Sequence, residues 1–156
     1  MELTKTEGLK DKDRKILKVM QEQKLVVPQV TKIAHRVHEP PSTVRDRIAS
    51  MEKSGTIKGY MPQLDPEKVG NDVLVFVLAN LGNLENPSIP CKKIASFDFV
   101  QGVYFLIGEK DILIKVRANS IPDYHNKMAL LRKYVINGGG IVVSKIFKDD
   151  LCLALD

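Results

Sequence analysis

Residues 40–50, PPSTVRDRIAS, combine small polar side chains with two arginines around an aspartate. On a helical wheel with about 100° per residue, the small polar residues and Asp46 face away from an apolar stripe. Arg45 and Arg47 border this outward face on opposite sides. Long cationic side chains reach phosphates, whereas short polar groups approach base edges. The pattern therefore favours a helix that enters a nucleic-acid groove, with an ordinary solvated helix as the alternative.

Asp46 has two candidate roles within this helix. It either accepts a hydrogen bond from a cytosine amino group or pairs with a neighbouring arginine and holds it in place. Gln29 and Lys32 lie at or near the start of the preceding helix, where side chains and backbone N–H groups often contact phosphate. The residues that we expect to contact double-stranded DNA are Gln29, Lys32, Pro41, Ser42, Thr43, Arg45, Asp46, Arg47 and Ser50.

The net charge of +5 is confined to the first part of the chain. Residues 1–60 carry 13 Lys and Arg against 8 Asp and Glu, whereas residues 61–156 carry 11 of each. Such asymmetry indicates a polyanionic partner for the first part. The chain has no apolar run of the roughly 20 residues that span a bilayer and no apolar signal-peptide core. We therefore expect a soluble cytoplasmic protein that makes no membrane contact.

The sequence gives little support to catalytic or metal chemistry. His35 and His38 are spaced i, i+3, but no third ligand of suitable spacing follows, so we expect helix-end or surface histidines, as for His125. No nucleophile elbow, phosphate-binding glycine loop or paired-carboxylate motif is present. Cys91 and Cys152 lie far apart and are expected to be buried thiols. We therefore expect no enzyme, no cofactor and no metal.

The first 63 residues are predicted to form a winged-type helix-turn-helix domain. Periodicity and prolines predict helices over 9–23, over 28–37, and from Pro41 or Ser42 to Gly55. Residues 56–64 are predicted to form a short strand, and residues 64–71 a hinge. The apolar stripes expected to be buried are Val30, Ile33, Ala34 and Val37 on the second helix, and Val44, Ile48 and Met51 on the third.

Residues 72–156 show the alternation of strands and helices that is typical of a ferredoxin-like βαββαβ domain, which makes the chain α+β. Strands are predicted at 73–81, 100–108, 111–118 and 141–148, and helices at 91–97 and 120–135. Ser120 is expected to cap the second helix, which buries one face and ends at the NGGG segment, 137–140. The tail, 149–156, is expected to form a further strand or an inter-subunit arm.

The segments at 9–17, 31–37 and 40–70 resemble the N-terminal domain of the Lrp/AsnC (feast/famine) family of prokaryotic transcription regulators. GVYFLIGEKDILIKVRA, residues 102–118, resembles the family's C-terminal effector-sensing, RAM-type domain. The resemblance implies a nucleoid-associated, sequence-specific DNA-binding regulator. It implies a homodimer formed through the C-terminal sheets, which often assembles into tetramers or octamers. It also implies regulation by an amino acid or a related small metabolite at contacts between dimers.

Several positions carry this resemblance. Ile33, Ala34 and Val37 match the family's second helix; Pro41, Ser42, Thr43, Val44, Arg47 and Ile48 match its recognition helix; Gly55, Ile57, Gly59 and Tyr60 match the segment that follows. Gly108 and Asp111 match the hairpin near which effectors bind, and Gly102, Tyr104 and Lys110 lie near it. A turn glycine and a turn-capping acid are the alternative roles of Gly108 and Asp111.

The chain also departs from the family pattern. His38, Glu39 and Pro40 stand where the family commonly has a glycine, an apolar residue and a capping serine, so Ser42 is expected to cap the recognition helix instead. Asp46 stands where relatives often have a basic or neutral residue. Two other functions remain open: a tetrapyrrole decarboxylase, since such enzymes resemble this family, and a DNA-compacting protein of low specificity.

Overall fold

The computed structural model describes residues 27–82 and 85–149. The chain divides into two compact units, Met1–Val69 and Gly70–Asp156. The fold is α+β, with a helix-turn-helix pair in the first unit and a ferredoxin-like sheet with two helices in the second. The predicted first helix, the residues from 150 onwards and Cys152 lie outside the described residues.

The helix-turn-helix pair consists of α1 (Val30–Val37) and α2 (Pro41–Lys53). The backbone reverses at His38, which takes a left-handed φ of 56°, and the N–H of Glu39 donates to the Ala34 carbonyl at 3.1 Å. Two prolines follow, and the second becomes the first residue of α2 because its fixed φ suits that position. The prolines therefore end one helix and begin the next.

Three predictions for this unit are wrong. Ser42 does not cap α2, because Pro41 is already helical and Pro40 takes the cap position without a side-chain hydrogen bond. Residues 56–64 contain no strand; the described part of this unit has no second strand to pair with, and Pro62 has no N–H for a ladder. The apolar stripes are buried mainly at Ala34 and Val44. The remaining stripe residues are half-buried or exposed: Val30, Ile33, Val37, Ile48 and Met51.

Replacing His38 with glycine is expected to stabilise the first unit. A left-handed φ costs a residue with a Cβ roughly 1 kcal/mol relative to glycine, so we expect His38→Gly to raise the free energy of unfolding by about that amount. His35→Gly is the matched control, because glycine at an α1 interior position should instead lower the free energy of unfolding by roughly 0.3–0.5 kcal/mol. Urea denaturation followed by circular dichroism measures both, and a destabilised His38→Gly variant would contradict the argument.

The second unit is a four-stranded antiparallel sheet in the order β2-β3-β1-β4. Its elements are β1 (Val73–Leu81), α3 (Ser88–Ala95), β2 (Val100–Phe105), β3 (Ile112–Ala118), α4 (Ile121–Leu131) and β4 (Val135–Val142). The predicted order of strands and helices is confirmed. In β1, Val75, Val77 and Ala79 alternate with half-buried neighbours and join the core beside Ile94 and Leu131. Burying each large side chain contributes about 1.5–3 kcal/mol.

Helix α4 begins as predicted. The Ser120 hydroxyl oxygen accepts a hydrogen bond from the Asp123 N–H at 3.2 Å. The Asp123 carboxylate accepts from Lys127 Nζ at 2.6 Å and from the Asn119 N–H at 2.9 Å, and these bonds, led by that from Lys127, lower the pKa of Asp123. One face of the helix is buried, as predicted: Tyr124, Met128 and Leu131. The cap and this face fix the helix against the sheet.

The last strand begins six residues earlier than predicted, and the glycines lie inside it. These glycines allow the side chains of neighbouring elements to approach the backbone of β4 closely. A Cβ at Gly138 would lie 2.6 Å from the Ala79 Cβ, and one at Gly140 would collide with the Tyr124 hydroxyl. The strand also contains an irregularity opposite Leu78 and Asn80, where Asn137 takes a φ of 48°. The NGGG segment is therefore packed sheet rather than a helix terminator.

Within residues 27–82 and 85–149, no helix is long and apolar enough to cross a membrane.

Cys91 is a free, partly buried thiol, and burial raises the pKa of this thiol. A partly buried position agrees only in part with the expected buried thiol.

Candidate nucleic-acid interface and effector region

The face of α2 that the wheel predicts to point outward is exposed. All nine of the predicted DNA-contacting residues are exposed to solvent: Gln29, Lys32, Pro41, Ser42, Thr43, Arg45, Asp46, Arg47 and Ser50. Gln29 takes the N-cap position of α1. The first unit thus presents short polar groups and long cations on the same pair of helices.

The N-terminus of α2 has no side-chain cap. Its first backbone hydrogen bond runs from the Val44 N–H to the Pro40 carbonyl at 3.1 Å, and Pro41 has no N–H. The N–H groups of Ser42 and Thr43 belong to the first turn, where an α-helix provides no intrahelical acceptor. A helix start of this kind offers N–H groups and a positive dipole end to an anion.

The two arginines differ in their surroundings. Arg47 and Thr43 line a groove of about 280 Å³ together with apolar side chains of both helices, among them Ile33 and Val37, whereas Arg45 is not part of it. Arg45 is therefore the more outward cation. Within the described residues Asp46 forms no ion pair with either arginine, so the proposed bracing role of Asp46 is not observed.

The histidines form no metal site in the described part of the chain, where no group of three His, Cys, Asp or Glu residues could hold an ion. His38 lies in the turn between the two helices, and His35 and His125 are exposed.

The predicted effector residues separate into two groups in the second unit. Gly102 and Tyr104 lie on β2, where they pair with Lys115 and Leu113 of β3. The other three, Gly108, Lys110 and Asp111, belong to the β2–β3 connection. Asp111 is four residues from Lys115, which corresponds to about 13 Å along an extended chain, but only two residues from Leu113, the partner of Tyr104. Gly102 therefore lies apart from the connection residues, whereas Tyr104 lies between the two groups.

Two of the connection residues, Lys110 and Asp111, hold the hairpin in place. Asp111 Oδ2 accepts a hydrogen bond from the Leu81 N–H at 3.0 Å, and the Asp111 N–H donates to the Ala79 carbonyl at 3.1 Å. Lys110 Nζ donates to the Asn137 carbonyl at 3.1 Å. A Cβ at Gly108 would meet nothing within 4 Å. These contacts support the structural alternative for Asp111.

A charged cluster that sequence reasoning missed lies beside Gly102. Lys115 Nζ contacts both carboxylate oxygens of Asp149 at 2.8 Å, and Arg117 Nη2 lies 3.4 Å from Oδ2. Arg117 Nε also donates to Gln101 Oε1 at 3.4 Å. Alternation along β3 could have indicated the two cations, because residues i and i+2 share one face of a strand.

A separate wide groove of about 860 Å³ lies on the helical side of the second unit. Its lining includes three lysines and the apolar side chains of α3: Lys92, Lys93, Lys133, Ile89 and Pro90. None of the predicted effector residues lines this groove, so the predicted site and this groove are different places.

Comparisons with known proteins agree on one family. Regulatory protein AsnC of Haemophilus influenzae is 32% identical over 117 residues, which cover 75% of this chain and 77% of that protein. An AsnC family transcriptional regulator from Agrobacterium tumefaciens has a similar structure, with a TM-score of 0.75, 25% identity and coverage of 94% and 97% of the two chains. A transcriptional regulator from Neisseria meningitidis, solved as an L-Met complex, has a TM-score of 0.75 at 22% identity, with coverage of 96% and 98%. No family model matches the chain.

Proposed function

The chain belongs to the Lrp/AsnC family of transcriptional regulators, and we propose that it reads double-stranded DNA through the outward face of α2. The observation that carries this proposal is the exposed row of Ser42, Asp46 and Ser50 bordered by Arg45, with Asp46 unpaired within the described residues. Short polar groups in the centre approach base edges, and the arginine reaches phosphate. We assign residues 1–63 to this DNA-binding domain and 64–71 to a hinge.

We further propose how the helices contact the backbone. The uncapped start of α2 places the N–H groups of Ser42 and Thr43 toward a phosphate, and Gln29 and Lys32 of α1 contact a second phosphate. Arg47 contributes a smaller share than Arg45, because it borders the apolar groove. Asp46 accepts from a base donor such as a cytosine amino group.

The proposed assembly is a homodimer formed by the domain over 72–156, with tetramers or octamers built from dimers. On the sheet face opposite the core, Phe76 and Leu78 of β1 pair with Ile141 and Gly139 of β4, and Ile141 is 58% exposed. An apolar sheet face of this kind fits a second copy of the chain. Two recognition helices that read adjacent turns of DNA from one face must lie about 34 Å apart, so the proposed two-fold dimer requires this spacing.

The proposed effector is an amino acid or a related small metabolite. The Neisseria meningitidis relative was solved with L-Met, which supports this class. We place the effector near Gly102 and Tyr104, because Lys110 and Asp111 of the connection are already engaged in hydrogen bonds with β4 and with Leu81 of β1. A regulator of this kind acts in the cytoplasm at the nucleoid, and we propose no enzymatic activity and no cofactor.

Selection of bound DNA from a random pool, with and without a mixture of amino acids, tests the proposed function. We expect a defined palindromic sequence, whose enrichment changes when the mixture is added. Enrichment of DNA without any shared motif would instead indicate a DNA-compacting protein. If no DNA is enriched at all, the DNA-binding proposal is wrong. Addition of sirohaem with absorption spectroscopy tests the decarboxylase alternative, for which a spectral shift would be required.

A further inference from the structure

We propose that the wide groove on the helical side of the second unit binds a small molecule that joins an aromatic body to a diphosphate group, as a nucleoside diphosphate does. The groove lies away from the sheet face that the proposed dimer covers, so it stays accessible in that dimer. This inference goes beyond the proposed reading of DNA and does not depend on it.

The groove has the size of a small-molecule site. Its volume is about 860 Å³, and such sites measure roughly 300–1,000 Å³. Helix α3 and the turn that follows α4 supply most of its lining. Both are held in place, since Ile94 of α3 is fully buried and the Tyr134 N–H donates to the Leu131 carbonyl at 2.9 Å. The groove therefore belongs to the packed part of the second unit.

Three lysines line the groove: Lys92, Lys93 and Lys133. All three are exposed, and within the described residues none of them forms an ion pair. Residues 61–156 contain 11 cationic and 11 acidic side chains, so the three lysines are a local excess of positive charge. Glu85 and Asp98 flank α3 in the chain, but neither of them lines the groove. The lining therefore favours an anionic ligand.

Their position near helix ends does not by itself account for these lysines. Cations stabilise the partly negative C-terminus of a helix, and Lys92 and Lys93 lie in the last turn of α3. The Lys93 carbonyl, however, already accepts from the Ser96 hydroxyl at 2.8 Å and from the Ser96 N–H at 3.2 Å. The Ile94 carbonyl accepts from the Phe97 N–H at 3.2 Å. The lysine ammonium groups therefore remain available to a ligand.

The number of lysines indicates the charge of the anionic group. A carboxylate carries one negative charge, and a phosphate monoester carries about 1.5–2 at pH 7. A diphosphate group carries about three, because its bridging phosphate adds one ionised oxygen to the terminal phosphate. Each ammonium group is a compact cation with three donors, and a diphosphate offers separate oxygens to all three lysines. A diphosphate therefore matches this lining better than a carboxylate or a single phosphate does.

The apolar side chains of the groove indicate the rest of the ligand. Ile89 is 67% exposed, and Pro90 and the half-buried Tyr134 line the same groove. The Tyr134 ring packs against that of Phe97, with 6.2 Å between the ring centroids. A flat ring laid on these side chains would remove apolar surface from water. Inorganic diphosphate would leave that surface exposed, so the groove favours a diphosphate that carries an aromatic body.

Isothermal titration calorimetry of the full chain with ADP, with adenosine and with inorganic pyrophosphate tests this inference. Mg²⁺ is omitted, because it would neutralise the phosphates. We expect ADP to bind at least about tenfold more tightly than adenosine or pyrophosphate, because only ADP contacts the lysines and the apolar side chains together. Equal affinity for ADP and pyrophosphate would overturn the inference, and so would the absence of ADP binding at millimolar concentration.

Two variants separate the parts of the groove. K133Q should weaken the binding of ADP and of pyrophosphate alike, by about five- to tenfold, because it removes one charged donor. I89S should weaken ADP binding by a similar factor and leave pyrophosphate binding unchanged. The matched control is K148Q, which removes an exposed lysine outside the groove and should change neither affinity. Both groove residues are exposed, so we expect the variants to fold, and circular dichroism checks this.

Other occupants of the groove give different results. If R45A abolishes ADP binding and K133Q does not, the ADP lies on the DNA-binding unit and the inference is wrong. If K133Q weakens DNA binding as strongly as R45A does, the groove contacts DNA instead. If I89S changes the sedimentation coefficient of the chain without ADP, the groove is a contact between copies, which also overturns the inference. A chain that selects DNA but binds no ADP contradicts this inference alone, whereas one that selects no DNA contradicts the proposed function.

Discussion

Raising the salt concentration from about 50 to about 200 mM is expected to weaken DNA binding by about 10³-fold, if the dimer makes six or more phosphate contacts. Each contact releases condensed counterions, so the logarithm of the affinity falls linearly with that of the salt concentration. The excess charge of residues 1–60, 13 Lys and Arg against 8 Asp and Glu, supports this expectation. Fluorescence anisotropy with the selected DNA measures the slope, and a flat response would contradict groove binding.

The variant Arg45→Ala tests one proposed phosphate contact by the same salt-dependent measurement of DNA affinity. Loss of one phosphate contact from each protomer should weaken binding to all sequences alike and reduce the salt slope by about one for each lost contact. The dimer should survive, because Arg45 is exposed on α2 and lies outside the sheet. Arg132→Ala, an exposed arginine in the second unit, is the matched control. Unchanged affinity of Arg45→Ala at moderate salt would remove Arg45 from the interface.

The second unit could be predicted well because its signals are local. The run of β-branched and apolar residues at Val73–Leu81 and the Ser120 cap each depend on residues a few positions apart, and the predicted strand and cap are both confirmed. The predictions of secondary structure were wrong where contacts with residues distant in sequence determine the structure. The glycines of β4 lie in a strand because Ala79 and Tyr124 approach them closely, and residues 56–64 lack a strand because the described residues of that unit offer no partner.

The candidate sites show the same division between local and distant information. The outward face of α2 follows from helical spacing alone, and its residues are exposed as the wheel requires. Helical and strand spacing could not show that Asp149 reaches Lys115 and Arg117, which precede it by 34 and 32 residues. A match to the family's hairpin also could not show that the Asp111 carboxylate already accepts a hydrogen bond from the Leu81 N–H of β1. Contacts between segments that are distant in sequence are therefore the ones that sequence patterns identify least well.

Replacing Asp111 with alanine is expected to lower the free energy of unfolding of the second unit by about 1–3 kcal/mol, because the Leu81 N–H would lose its acceptor. That N–H lies 3.0 Å from Oδ2 in a partly buried position. The chain contains no tryptophan, so urea denaturation is best followed by circular dichroism. An unchanged unfolding free energy would show that this hydrogen bond does not hold the hairpin.

Asp111→Asn separates the structural role from an effector role. Asparagine keeps an acceptor oxygen for the Leu81 N–H but loses the charge, so its unfolding free energy should lie closer to the wild-type value than that of the alanine variant. If Asp111 instead binds a cationic group of the effector, the asparagine variant would remain stable and lose the effector response. Since the carboxylate is already engaged with the backbone of β1, we expect Asp111→Asn to retain both its stability and its response.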